Sequence, residues 1–194
     1  MAKAQAIAVT GQAVLGLLAD NIPKSEFTNA RFELYQPANF QQSPMEEGIS
    51  LFLYRVEINA GLRNLPYKTG LDGISRRPPL PLDLYYLLTV WAKDTIKQQR
   101  ILGWAMRTLE DAPVLSAGRL NNFGPETDVF QPNETIEIIF HSLSLQDLSN
   151  IWGAFKGNLP VSVGYIARVV GIDSTISTEE SAPVQTREFD FIKN

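Results

Sequence analysis

The sequence lacks cysteine altogether and contains a single histidine, His141. The absence of thiols excludes disulfide scaffolds, zinc ribbons, thiolate metal sites and cysteine nucleophiles. With only one imidazole, Ser-His-Asp triads and multi-histidine metal sites lose most of their components. Because His141 lies at the end of a predicted strand without a second histidine, we interpret it as a structural imidazole rather than a catalytic base.

The motifs of several large enzyme classes are absent as well. The sequence has no Gly-x-Gly-x-x-Gly, no Gly-x-x-x-x-Gly-Lys-Ser/Thr, no Gly-x-Ser-x-Gly and no His-Glu-x-x-His. Adjacent acidic residues occur only in predicted loops or at helix ends, where neighbouring side chains do not face each other. An enzyme would therefore have to work with unusually few catalytic groups, and we predict no cofactor and no metal.

Long apolar runs are also missing. No stretch of about 20 apolar residues occurs, so no transmembrane helix is predicted. Gln5, Thr10, Gly11 and Gln12 interrupt the apolar stretch at residues 4–19, which lacks the small-x-small cleavage pattern of a secretion signal. We expect a cytoplasmic protein without direct membrane insertion.

What is present fits one globular domain. The chain has 194 residues, of which 44% are apolar, enough for a sizeable core. The net charge of −4 argues against non-specific binding to nucleic acid or an anionic membrane. The charge is uneven, because residues 1–100 carry +2 and residues 101–194 carry −6. This polarity suits a protein that meets a neighbour head to tail.

Apolar periodicity predicts a mainly antiparallel sheet of about five strands, packed against two or three helices. Alternation predicts strands at residues 30–35, 49–59, 82–92, 135–140 and 161–172, of which 82–92 is central and buried on both faces. In the last strand, Val161, Val163, Tyr165, Ala167 and Val169 are expected on one face. Helical spacing and capping residues predict helices at 7–22, from 94 or 95 to 109, and at 145–155. Residues 36–48 and 114–130 are expected to be irregular.

Two segments are predicted to bind a partner. Residues 61–81 form a long connection in which glycine and proline oppose regular structure, and connections of this length are usually functional or disordered. Residues 173–194 are polar and acidic and include two phenylalanines near the end. The candidate interface residues are four basic residues of the first segment and four residues of the second: Arg63, Lys68, Arg76, Arg77, Glu179, Glu180, Phe189 and Phe191.

Asp83 is unusual because it lies inside the most apolar predicted strand. A buried carboxylate requires a partner, which Arg168 on the last strand or Arg55 on the second strand could supply. We predict a structural Asp83–Arg168 ion pair. An alternative function also centres here: a small ligand-binding or enzymatic domain with a cleft near Asp83, Arg168 and His141.

Several segments, in this order and spacing, resemble a known family. They are Pro-Leu-Asp-Leu-Tyr-Tyr-Leu-Leu-Thr at 81–89, Arg-Ile-Leu-Gly-Trp-Ala-Met at 100–106 followed by Pro-Val-Leu at 113–115, Leu-Gln-Asp-Leu-Ser-Asn-Ile-Trp at 145–152, Leu-Pro-Val-Ser-Val-Gly-Tyr at 159–165 and Arg-Val-Val at 168–170. Together they resemble the cap or tail-terminator family of contractile injection systems, the phage-tail-like particles of the antifeeding-prophage type.

The resemblance implies a fold, a role and partners. It implies a single α+β domain, similar to phage tail terminators, that forms a hexameric ring on the distal end of the inner tube and sheath. Such a ring ends polymerisation and couples sheath to tube, within a particle that is either released or membrane-anchored. The resemblance therefore also implies a structural protein that performs no chemistry and is not an enzyme. We accordingly divide the chain into a terminator-like domain at 1–172, which contains the N-terminal helix and the basic loop 61–81, and an acidic C-terminal arm at 173–194. A monomeric adaptor that binds one partner is a further alternative.

Overall fold

The computed structural model describes residues 2–42, 44–66, 68–69, 75–123, 128–155 and 160–178. It contains a mixed six-stranded sheet, a small second sheet and five helices. The helices are α1 (Ala6–Asn21), α2 (Pro37–Gln42), α3 (Thr95–Asp111), α4 (Ala117–Leu120) and α5 (Leu145–Phe155). The strands are β1 (Arg31–Tyr35), β2 (Gly48–Ile58), β3 (Lys68–Thr69), β4 (Ser75–Arg76), β5 (Leu80–Trp91), β6 (Val114–Ser116), β7 (Thr135–His141), β8 (Ser162–Ile172) and β9 (Ser177–Thr178).

The main sheet has the order β1-β2-β5-β8-β7-β6. All neighbouring strands are antiparallel except β1 and β2, which are parallel. A parallel pair needs a crossover of about a dozen residues, and residues 36–47 supply it with α2 in the middle. The α+β single-domain prediction is confirmed, with the parallel edge strand β1 as one difference. The segments expected to be irregular contain three short elements, α2 in the first and β6 and α4 in the second, so there are five helices among the described residues rather than two or three.

The predicted central strand is confirmed, because β5 lies between β2 and β8 and side chains on both of its faces are buried. On one face Leu84 and Leu88 join the main core, which α1, α3 and α4 cover. On the other face Leu87 joins a second, aromatic cluster under α2 and α5. There the Phe40 ring of α2 meets the Trp152 ring of α5 edge-on, with centroids 5.3 Å apart.

Two of the predicted helix starts are also confirmed by their caps. The Asp94 carboxylate accepts hydrogen bonds from the backbone N–H groups of Ile96 and Lys97, at 3.2 and 3.3 Å. Ser144 accepts a 3.1 Å bond from the backbone N–H of Asp147 and lies 2.6 Å from that residue's carboxylate. These caps satisfy backbone donors that have no partner inside a helix.

One prediction for the last strand is wrong. Val163, Tyr165 and Ala167 pack against the main core as expected, and Val161 precedes the strand and is 40% exposed. Val169 is 38% exposed, and Val170 is buried instead. The cause is a register shift between β5 and β8, where pairing passes from Leu82↔Val170 to Leu84↔Ala167. Val169 adopts a φ of 58°, unusual for a β-branched residue, and the alternation of side chains changes phase there.

The segments predicted as loop and arm meet in the small sheet, whose order is β3-β4-β9. Residues 61–81 were expected to lack regular structure, yet they contain β3 and β4 and the start of β5. The predicted arm begins on the domain, since the Asp173 N–H donates to the Ala2 carbonyl at 2.9 Å and β9 pairs with β4. The basic loop and the first residues of the acidic arm are therefore in contact within one chain.

Candidate functional site

A cluster of polar and aromatic side chains lies on one face of the main sheet. Its members come from β2, β5 and β7. Tyr85 donates a hydrogen bond to Glu57 at 2.8 Å, and Arg55 donates to the other oxygen of the same carboxylate. The Arg55 guanidinium lies 5.0 Å from the centre of the Tyr85 ring, a cation–π distance. The His141 ring meets Tyr85 edge-on at 5.4 Å. Leu87, two residues from Tyr85 and hence on the same face, belongs to the second core.

The electrostatics of this cluster oppose proton transfer at neutral pH. Hydrogen bonds from Tyr85 and then Arg55 lower the pKa of Glu57, which keeps it a carboxylate. The hydrogen bond to Glu57, followed by burial, raises the pKa of Tyr85, which keeps it a neutral phenol. Each group is thus held in the protonation state that its partner requires. The cluster suits a fixed contact surface better than a general acid or base.

The predicted ion pair between Asp83 and Arg168 is not formed. The Asp83 carboxylate accepts hydrogen bonds from the backbone N–H of Val169 and from the side chain of Asn59, both at 2.9 Å. The Arg168 guanidinium lies 3.9 Å from Glu137, opposite it on β7. The register shift explains the change, because it presents a backbone N–H to Asp83 at the position where an arginine was expected.

The same contacts bear on the alternative of a cleft near Asp83, Arg168 and His141. These three side chains have different partners: Asp83 bonds to Asn59 and Val169, Arg168 faces Glu137, and His141 packs on Tyr85. Within the described ranges, no group of three or more metal-ligating side chains was found. The geometry therefore gives no support to a catalytic constellation at this place.

The residues predicted for partner binding are only partly described. Arg63 and Arg77 are exposed at the two ends of the loop. The backbones of Lys68 and Arg76 pair with each other across β3 and β4, and that of Arg76 also pairs with Ser177 of β9. Glu179, Glu180, Phe189 and Phe191 lie outside the described residues. The structure thus joins the loop to the start of the arm but leaves the predicted interface untested.

Sequence reasoning missed an apolar groove at the base of this loop, which we call the loop groove. Its volume is about 290 Å³, and its walls come from residues 62–65, 79–81, 130–136 and 169–171. The lining residues are mostly apolar: Leu62, Leu65, Pro79, Pro81, Phe130, Asn133, Glu134, Thr135, Ile136, Val169 and Gly171. Separate segments create it, so no local pattern signals it; the isolated apolar residues Leu62 and Leu65 in a basic loop were the available hint.

A larger cavity of about 540 Å³ lies between β1 and the start of α3, and its walls are charged. The charges are paired: Lys97 bonds to Glu47 at 2.7 Å and Lys93 to Glu46 at 2.9 Å. The Lys93 ammonium lowers the pKa of Glu46. With these charges already compensated within the chain, the cavity shows no excess of either sign that would select a ligand.

A third depression lies beside the edge strand β1. Its volume is about 360 Å³ and its walls combine the side chains of α1 with those of β1 and Phe123. Leu34 on this edge is 42% exposed, and at the opposite edge of the sheet Val114 of β6 is 54% exposed. Each edge of the sheet therefore carries an exposed apolar side chain. No helix among the described residues is long and apolar enough to cross a membrane.

Comparisons with known proteins give the family and the fold. Residues 10–186 match the family described as the Pvc16 N-terminal domain. One similar solved structure is the sheath/tube terminator, in its extended state, of the extracellular contractile injection system PVC, with a TM-score of 0.64 and 13% identity. Another is the tube-terminating cap of the anti-feeding prophage, with a TM-score of 0.52 and 18% identity. Curated proteins gave no match.

These similarities extend over almost the whole chain but only part of the similar structures. The matches cover 97% and 89% of this chain and 64% and 60% of the other two. At such identities the likeness establishes the fold, and functional statements require separate argument.

Proposed function

Because this chain belongs to the Pvc16 N-terminal domain family, we propose that it is a structural subunit that caps the tube of a contractile injection system and performs no chemistry. The observation that carries the proposal is the match of 97% of the chain to a sheath/tube terminator. The carboxylates of Glu57 and Asp83 are already hydrogen-bonded within the chain, which agrees with a role in assembly. We propose that assembly takes place in the cytoplasm, whether the finished particle is released or membrane-anchored.

The cap is proposed to be a ring of six copies at the distal end of tube and sheath, where it ends polymerisation and couples the two layers. Closing a ring requires a heterologous contact, in which two different surfaces of each subunit meet. The main sheet supplies such a pair in its two edges, β1 and β6. Exposed Leu34 at one edge and Val114 at the other provide apolar contact area.

The charged segments give the contact its direction. Arg63 and Arg77 are exposed on the basic loop, and the acidic arm carries Glu179 and Glu180. Opposite charges on two subunits favour one orientation over its reverse and penalise like-charge approach. Terminal sheath or tube subunits are the proposed partners on the remaining surface, including by addition of a strand to an exposed sheet edge.

Purified protein tests the ring. Light scattering after size-exclusion chromatography should give six times the 21.6 kDa subunit mass, and negative-stain images should show closed rings. If the free chain does not assemble, both measurements are repeated after tube subunits are added. Reversing two charges, in Arg63→Glu with Arg77→Glu, should weaken assembly, especially at low salt. Lys24→Glu, at an exposed position after α1, is the single-charge control.

A protein that stays monomeric both alone and with tube ends would refute the ring and leave the monomeric adaptor as the better description. Tubes that grow to the same length with and without the protein would refute the capping role itself. The two outcomes are separable, because mass reports on the ring and tube length reports on termination.

A further inference from the structure

The loop groove is an apolar surface that is open in the described part of the chain. Val169, one of its lining residues, is 38% exposed. It belongs to the central strand β8, where Tyr165, Ala167 and Val170 are buried. An exposed apolar groove of this kind is typical of a contact site.

The path of the chain brings the C-terminal segment to this groove. Strand β9 ends at Thr178, which pairs with Ser75 of β4. Pro79, which lines the groove, is four residues from Ser75, a separation of at most about 14 Å. Ten residues separate Thr178 from Phe189, and they can span about 35 Å. The segment can therefore reach every part of the groove without strain.

The chemistry of the segment fits the groove. Residues 187–192 read Arg-Glu-Phe-Asp-Phe-Ile, and in an extended chain Phe189 and Phe191 point to the same side. Two aromatic rings on one side of the segment suit an apolar groove. Glu188 and Asp190 point to the opposite side, away from the groove.

We propose that residues 187–192 dock into the loop groove of their own chain, with Phe189 and Phe191 against its apolar walls. The pairing of β9 with β4 holds the start of the arm beside the groove. A short tether of this kind gives an effective concentration in the millimolar range, which favours the chain's own segment over that of a second copy. The inference does not depend on the capping role.

Crosslinking can test this directly, since the chain contains no native cysteine. Asn133→Cys on the exposed groove wall and Lys193→Cys place one thiol on each side of the proposed contact and leave both phenylalanines intact. In the control pair, Lys24→Cys replaces Asn133→Cys. Ala2, before the start of α1, lies beside Ile172 at the end of β8, near the start of the arm. Lys24 lies beyond the other end of α1, which is about 24 Å long, so it is remote from the start of the arm.

The full-length protein, at a concentration where light scattering gives the monomer mass, is treated with a short bismaleimide. We expect an intramolecular product that forms at least tenfold faster in the groove pair than in the control pair. Adding Phe189→Ala and Phe191→Ala should reduce the rate to that of the control. Equal rates for the two pairs, or no effect of removing the rings, would overturn the proposal. A product that is mainly a dimer would also overturn it and would assign the groove to the arm of a second copy.

Discussion

Replacing Asp83 by alanine tests what joins the central strands where their register shifts. The carboxylate accepts one hydrogen bond from the Val169 backbone and one from Asn59, both at 2.9 Å. Hydrogen bonds to a charged group contribute about 1.5–3 kcal/mol each, but these are partly open to water. We therefore expect a loss of about 2 kcal/mol for the two together, which in a chain of 194 residues lowers the Tm by about 4–8 °C.

The same reasoning predicts a small effect at Arg168. Its acidic neighbour Glu137 is 3.9 Å away, and the two side chains are 47% and 54% exposed. Exposed pairs of this geometry contribute about 0–1 kcal/mol, so Arg168→Ala should cost no more than about 0.5 kcal/mol. Since Asp83 does not pair with Arg168, the two changes should be additive within about 0.5 kcal/mol.

Urea unfolding followed by tryptophan fluorescence measures both variants and the double variant. Asp83→Asn is the matched control: its amide oxygen can still accept the Val169 N–H, so it should lose only about half as much stability, about 1 kcal/mol. A coupling energy above about 1 kcal/mol between Asp83 and Arg168 would mean that the two side chains form the ion pair after all. An unchanged unfolding midpoint for Asp83→Ala would refute the assigned role of the carboxylate at the register shift.

Three further predictions concern the helices and the core. In Gly16→Ala the new Cβ would lie 2.1 Å from the Phe123 ring, so we expect the free energy of unfolding to fall by about 1–3 kcal/mol. In the control Gly103→Ala the new Cβ would meet no neighbouring atom within 4 Å, so the free energy of unfolding should rise by about 0.5–1 kcal/mol. Equal Tm shifts for the two variants would contradict this. Asp94→Ala removes the cap of α3 and should cost about 1 kcal/mol in thermal unfolding, while Asp94→Asn should restore most of it. Burial raises the pKa of Tyr165 to about 12; because the unfolded phenol ionises near pH 10, stability should fall as the pH rises from about 10 to 12. Tyr165→Phe should flatten that fall, and an identical alkaline profile would contradict the assignment.

The sequence signals were strongest where burial is regular. Strand β5 was predictable because its run of apolar and aromatic residues is long enough to be buried on both faces. The two longest helices after β1, α3 and α5, were predictable from a capping residue followed by an apolar stripe. Short elements gave no such signal: β6 has three residues and α4 has four, too few to establish a period.

The errors have a common physical cause, which is that tertiary contacts change the local pattern. The register shift between Leu82 and Leu84 reverses which of Val169 and Val170 is buried, and the residue with positive φ is a valine rather than a glycine, so the sequence does not signal it. The same shift gives Asp83 a backbone donor in place of the arginine expected from charge alone. Charge complementarity in a sequence identifies a need for a partner, but the backbone decides which partner is within reach.

The start of the arm lies on the basic loop within one subunit. Strand β9 pairs with β4, so the acidic arm begins on the basic loop of its own chain. A loop and arm joined in this way are at a far higher effective concentration than the same segments on separate copies. Charge attraction alone is therefore insufficient to hold two subunits together at ordinary concentrations. Ring closure needs a contact that a single chain cannot satisfy by itself, and the two different edges of the main sheet, β1 and β6, meet that condition because they lie at opposite ends of the strand order. In the ring that we propose, the sheet edges supply the stability, and the charged segments select the orientation.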